Sequence, residues 1–276
     1  MNHGSKALER NGAAIAVVIP SFRASRTIEN VILAIGSEVT AIYVVDDGCP
    51  EFTDDQLSQL KERPRTVVLN HQINLGVGGA MKTGYRRAMA DGADIIVKID
   101  ADGQMNPTDI NMVVAPILAG HADYAKGNRF IAGSLLPAAD SSTAGARMPL
   151  ARRLANLLLS ATHHLATGYR EVRDPANGFT AIHSDTLRML DLDRVSNCFF
   201  FETDMLHHLN SVGAVVREVP LLSRYGGQST LRLVRVAPTF IRLLIARAAK
   251  RLWSRWTLGA PRPRPPEPLW CRQKSC

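Results

Sequence analysis

A chain of 276 residues, 46% hydrophobic and 21% charged, can bury a sizeable core, which excludes wholesale disorder and sets an expectation of one large domain with an appendage. Its net charge of +8 points to nucleic acid only until its distribution is read: residues 231–276 hold eleven Lys and Arg against the single acid Glu267, leaving the first 230 residues at −2. The four cysteines, Cys49, Cys198, Cys271 and Cys276, form no Cys-x-x-Cys pair and have no His at zinc-ligand spacing, a usage that suits a reducing cytosol.

Residues 1–12 are expected to be flexible, with no apolar stretch that would serve as a signal peptide. From residue 13, β-branched runs alternate with segments of helical period, the pattern of βαβ units around a largely parallel sheet. A buried strand is predicted over 13–20 and ends at Pro20; a helix over 27–35 buries Ile28, Val31, Ile32 and Ile35. The next strand, 41–47, ends in Asp46 and Asp47, and a polar helix follows around 54–61. A strand over 66–70, a helix over 76–90, a strand over 93–100 and a helix over 107–118 complete the regular half, the last opening on Pro107. Residues 133–146 are small and turn-forming and read as a loop. A helix over 149–166, a strand over 178–184, a helix around 202–210 and a strand over 214–220 follow.

Ligands of open α/β sheets collect beyond the carboxyl ends of the strands. Two strands here end in acidic pairs, Asp46-Asp47 and Asp100-Ala101-Asp102. Two carboxylates a residue apart, with Gly103 loosening the backbone after them, suit a hard cation that neutralises a diphosphate leaving group. Asp-x-Asp alone is equally an acidic turn.

The wider pattern is more specific. Asp100-x-Asp102-x-Gln104 with Pro107 resembles the metal-binding motif of family 2 glycosyltransferases, especially the dolichyl-phosphate mannose synthase-like branch. The strand with Pro20 and Phe22, VVDDGC at 44–49, HQINLGVGGAMKTG at 71–84, GNRF at 127–130, DPANGFTAI at 174–182, FFETDM at 200–205 and RYGGQST at 224–230 resemble further family motifs in the family's order. The resemblance covers roughly residues 13–232. It implies a GT-A type nucleotide-diphospho-sugar transferase fold, an α/β architecture with a mixed, mostly parallel sheet flanked by helices.

It also implies roles. Pro20, Phe22, Asp46 and Asp47 would contact the nucleotide, and Asp100 and Asp102 would hold Mg2+ or Mn2+ against the diphosphate. Gln104 would lie near sugar or acceptor, and Arg129, Arg224 and Ser229 would meet phosphate, a task that suits the planar guanidinium fork. Glu202 or Asp204 would be the general base in members that glycosylate hydroxyl groups. In members that glycosylate a polyprenyl phosphate the acceptor is already an anion, and these acids would orient it. Asp174 would shape the acceptor side. Phe22 is followed by Arg23-Ala24 where the family often has Asn-Glu, which puts one nucleotide contact in doubt.

The tail stands apart. Residues 231–256 hold seven Lys and Arg and no acid. A helix over 233–258 would place Ile241, Ile245, Ala248, Leu252 and Trp256 on one face, with Arg242, Arg247, Lys250 and Arg251 mostly elsewhere. Such a charge density forbids a span; the segment reads either as an interfacial helix on anionic lipid or as a helix docked on the domain. Residues 259–276 are expected to be disordered.

Three rival readings fit the sequence less well. GVGGAMKT at 76–83 approaches a P-loop, but Met81 stands where the second glycine is needed. A non-catalytic binding protein would not need Asp100, Asp102 and Arg224 together, and a nucleic-acid module conflicts with the near-neutral body. The expectation is therefore an inverting, metal-dependent enzyme, peripheral on the cytosolic membrane face. It would move sugar from a UDP- or GDP-sugar to polyprenyl phosphate, or else to a saccharide hydroxyl in surface-polysaccharide assembly.

Overall fold

The structure, a computed structural model, describes residues 12–52, 54–129, 162–175, 177–221, 233–258 and 268–273. In chain order the elements are β1 (Ile15–Ser21), α1 (Ile28–Leu33), β2 (Val39–Asp46), α2 (Asp54–Glu62), β3 (Thr66–Asn70), α3 (Val77–Ala90), β4 (Ile95–Lys98), α4 (Ile110–Leu118) and β5 (Tyr124–Asn128). They continue with α5 (162–167), β6 (Thr180–His183), α6 (Ser184–Arg188), α7 (Phe201–Ser211), β7 (Val216–Pro220), α8 (Leu233–Leu258) and α9 (Leu269–Gln273).

The strands form one sheet in the order β3-β2-β1-β4-β6-β5-β7. All run parallel except β6, which is antiparallel to both β4 and β5. A central strand covered on both faces needs a continuous apolar run, and IAVVI supplies it. Because side chains alternate, Ile15, Val17 and Ile19 enter a core with Ile28, Val31, Ile110 and Val113 of α1 and α4. Ala16 and Val18 enter the opposite core with Met81 and Tyr85 of α3 and Met205 and Leu209 of α7. Helix α3 lies so close to β1 that a Cβ on Gly84 would overlap the Val18 side chain.

Strand β5 is not predicted by the apolar pattern. Its sequence, YAKGN, hides a strand behind Lys126, Gly127 and Asn128, although Lys126 is 0% exposed. The predicted loop at 133–146, most of the predicted helix at 149–166, and Arg224 and Ser229 lie outside the described residues.

Within the stretch 259–276 expected to be disordered, the described residues 268–273 differ from that expectation. Residues 268–273 return to the body, where the Asp123 carboxylate accepts the N–H groups of Leu269 (2.7 Å) and Trp270 (3.4 Å). The Trp270 indole donates to the Ala122 carbonyl at 3.1 Å and stacks on His183 with ring centroids 4.5 Å apart. An aromatic ring with one polar handle anchors even a short segment when both ends find partners.

Candidate active site

β1, β2 and β4 are parallel, so their carboxyl ends open on one edge. Ser21 lies in register with Asp46, and the Asp47 N–H donates to the Ser21 carbonyl at 2.9 Å. Asp46 and Asp47 divide their work. Both oxygens of Asp47 hold the loop before α3: Oδ1 accepts from Leu75 N–H and contacts His71 Nδ1, and Oδ2 accepts from Gly76 N–H, each at 2.8 Å. Asp46 accepts the Cys49 N–H through Oδ1 at 2.9 Å, and burial pushes its carboxyl up from the usual value, with that bond pulling the other way. Phe22 is 42% exposed beside them, and the Arg23 guanidinium lies 5.4 Å from its ring centre.

The end of β4 carries the densest charge. The Lys98 ammonium is buried between two carboxylates, at 2.6 Å from Asp100 Oδ1 and 2.9 Å from Glu202 Oε1. Burial alone would lower the Lys98 pKa; the charges of Asp100 and Glu202 and their hydrogen bonds outweigh it and hold the group above the ordinary lysine value. Gly178 makes room, since a Cβ there would overlap Lys98 Nζ and come within 2.7 Å of Asp100 Oδ2. Asp102 is exposed, and its Oδ1 accepts the Gln104 N–H at 3.0 Å.

Among the described residues no group of three or more His, Cys, Asp or Glu is arranged to hold a metal ion. Two carboxylates can hold a hard cation such as Mg2+ or Mn2+ when phosphate oxygens and water complete its shell. Within that limit the two carboxylates, one part-exposed and one exposed, fit the ion.

On the other side of β4, Arg129 is gripped by Asp174 through Nε and Nη2, both at 2.8 Å, while its guanidinium stays part-exposed. Glu218 on β7 in turn receives the N–H groups of Arg173 and Asp174 at 2.8 Å and the Asn128 amide at 2.7 Å. Beneath them Lys126 donates to the Asn177 carbonyl, and burial pulls its pKa down to about 8. A cavity of about 360 Å³ opens beside this seam, lined by Asn128, Arg173, Arg217, Glu218 and Pro220 among others.

Glu202 and Asp204 do not work as a pair. Glu202 faces Lys98, whereas Asp204 is 0% exposed and points into the seam with α8, where Arg247 Nε and Nη2 hold it at 2.6 and 2.9 Å and Ser196 N–H donates at 2.8 Å. Residues two apart on a helix point about 200° from each other, so Asp204 belongs to the packing of the tail helix and not to the cluster.

The model of "Glycosyl transferase family 2" matches residues 16–174. The chain belongs to this family. The UDP-N-acetylglucosamine–dolichyl-phosphate N-acetylglucosaminyltransferase of Methanococcus voltae is 29% identical, over 86% of this chain and 98% of its own. The undecaprenyl-phosphate mannosyltransferase of Micrococcus luteus is 28% identical, over 75% and 82%. Among solved structures, glucosyl-3-phosphoglycerate synthase from Mycobacterium tuberculosis, in complex with Mn2+, UDP-glucose and phosphoglyceric acid, superposes with a TM-score of 0.62 at 22% identity, covering 86% of this chain and 80% of that one. These relatives identify a glycosyltransferase of the dolichyl-phosphate mannose synthase-like branch with the GT-A fold.

Three residues of this glycosyltransferase's cluster escape sequence reasoning. Lys98 lies inside the strand predicted over 93–100, and Gly178 opens the strand predicted over 178–184; both matter only once β4, β6 and α7 converge. Lys126 sits in the unrecognised strand β5. The one sequence signal is a lysine in the otherwise apolar run of β4, IIVK. The near-P-loop is accounted for as well. Lys82 is buried and donates to the Val195 carbonyl and to Asn197 Oδ1 (2.7 Å), while the Gly78 N–H donates to the Asn197 carbonyl at 2.8 Å. The start of α3 is thus covered by protein where a P-loop would leave N–H groups for phosphate.

Proposed function

We propose that this glycosyltransferase moves a sugar, with inversion, from a UDP- or GDP-sugar to a polyprenyl phosphate at the cytosolic face of a membrane. The observation that carries the acceptor class is Glu202 bound to the Lys98 ammonium at 2.9 Å. A carboxylate engaged in an ion pair is a poor proton acceptor, which a hydroxyl acceptor would require and a phosphate acceptor does not. The names of the two sequence relatives, both polyprenyl-phosphate enzymes, support the same reading.

In this reading Asp46 and Phe22 meet the nucleoside. Asp100 and Asp102 would hold Mg2+ or Mn2+, which supplies positive charge to the departing diphosphate. Arg129, aimed by Asp174, offers its part-exposed guanidinium to the acceptor phosphate, and Gln104 lies at the sugar. Arg224 and Ser229 remain assigned to phosphate by resemblance only.

The tail supports delivery of a lipid acceptor. No helix among the described residues is long and apolar enough to cross a membrane. Helix α8 rests on the body through Leu244 and Ala248, packed with Ala166 and Phe200, and through Arg247 and Arg251, the latter donating to the Leu165 carbonyl at 3.1 Å. Ala248 thus leaves the face assigned to it by the helical wheel. Ile241, Ile245, Leu252, Trp253 and Trp256 stay exposed, with Arg242 among them. Apolar rings flanked by cations suit the headgroup layer of an anionic bilayer.

The test is transfer of radiolabel from UDP- or GDP-sugars, with Mn2+, to polyprenyl phosphate in vesicles. Label should enter the organic phase, and Asp102→Ala should lower the rate about a thousandfold. Label appearing only in added oligosaccharide overturns the lipid reading in favour of a saccharide-hydroxyl acceptor. Full activity in Asp102→Ala removes the cation from the scheme.

A further inference from the structure

We propose that Lys98 is a positioning residue that joins the two halves of the site, holding Asp100 of the donor half and Glu202 of the acceptor half in one ion triad around a buried ammonium. The inference rests on the donor and acceptor assignment above and adds a communication between them. Strand β4 is buried along its whole length, Ile95, Ile96, Val97 and Lys98. An apolar residue would fill the last position at lower cost, because a buried ammonium is tolerated only when its donors are paired. Both partners are present, Asp100 Oδ1 at 2.6 Å and Glu202 Oε1 at 2.9 Å. They come from different parts of the chain, the β4 turn and the first turn of α7, and Gly178 supplies the space where they meet.

The consequence is electrostatic and has opposite signs in the two halves. The Lys98 charge offsets the negative charge of Asp100 and so weakens the attraction of the Asp100 and Asp102 pair for a cation. The same charge fixes the Glu202 carboxylate against the cleft. A cation engaging Asp100 draws on the charge that Lys98 now neutralises, and the ammonium is left more fully to Glu202. Donor and cation binding would in this way firm up the acceptor side before transfer.

Replacement by Lys98→Met removes the charge while keeping most of the side-chain volume. Mn2+ alone, titrated into the protein and followed by loss of the free-ion EPR signal, should bind about fivefold more tightly to the variant than to wild type. In the transfer assay kcat should fall about fiftyfold with donor KM unchanged or lower, because the loss is in positioning and not in donor binding. A purely structural lysine would weaken Mn2+ binding and transfer together. Weaker or unchanged Mn2+ binding overturns the proposal, and so does an unchanged kcat. Should Lys98→Met fail to fold, Lys98→Gln carries the same two expected signs. The Mn2+ titration needs no sugar, so it judges Lys98 even if wild type proves to use another acceptor.

Discussion

The first turn of α7 sends two carboxylates into two different regions. Glu202 faces the cleft and shares the Lys98 ammonium with Asp100; Asp204 faces the seam with α8 and holds Arg247 with two hydrogen bonds. One region opens on the carboxyl edge of the sheet and the other holds protein. Acids that sit close in sequence are therefore not a catalytic pair by that fact, since a helix turns about 100° per residue. The comparison also ties the tail to the chemistry, because the helix that positions Glu202 is the one that α8 grips.

The largest expected effect tests the packing region. Asp204→Ala leaves the Arg247 guanidinium in the seam without its partner and should cost about 4 kcal/mol of stability by urea unfolding. The folded fraction should retain turnover. A stable but inactive Asp204→Ala would place this acid in the chemistry and break the comparison. Glu202→Gln is the mirror experiment. It should cut kcat about a hundredfold, about 2.7 kcal/mol, while the unfolding midpoint moves little.

The carboxyl edge of β1, β2 and β4 was legible because its physics is local. An apolar run followed by acids reads as a strand delivering carboxylates to its end, and Asp46, Asp100 and Asp102 are found at or just beyond those strand ends. The side built on β5 and β7 depends on contacts far apart in sequence. Arg129 meets Asp174, Asp174 meets Glu218, and Lys126 meets the Asn177 carbonyl, so a strand as polar as YAKGN is stabilised by partners that no periodicity reveals. The α8 wheel gave a helix but not its docked face, which Asp204 decides from 43 residues away. Asp47 shows the same limit: it stands at the expected strand end, yet its oxygens are committed to His71, Leu75 and Gly76.

Two buried lysines sharpen the contrast further. Lys98 has two acids beside it and is held charged, whereas Lys126 donates to the neutral Asn177 carbonyl and is pulled down to about 8 by burial. The folded pKa of Lys126 lies below the unfolded lysine value near 10.4. Between about pH 8 and 10 the unfolded chain holds a proton that the folded chain has released, so this group makes stability rise with pH across that window. Below pH 8 both states are protonated, and the cost of burial is constant and complete. Urea unfolding from pH 7 to 10 should show Lys126→Met losing a rise on the order of 2 kcal/mol that wild type displays. Equal slopes in the two proteins would mean that Lys126 stays charged in the fold.

The smallest effect concerns the outer face of α8, which is exposed where the inner face is packed against the body. Trp253 and Trp256 are 67% and 83% exposed, with ring centroids 6.0 Å apart. Replacing both with Ala removes side chains that are mostly exposed, so the unfolding midpoint should stay within about 1 °C of wild type. Sedimentation with vesicles containing anionic phospholipid should nevertheless fall about tenfold, about 1.4 kcal/mol, because each ring loses its place among the headgroups. Neutral vesicles should bind wild type more weakly, since Arg242 and the other tail cations contribute only against a negative surface. If the double variant sediments as well as wild type, the exposed stripe is not what meets the bilayer, and α8 is left with the one role that Asp204, Leu244 and Ala248 already give it.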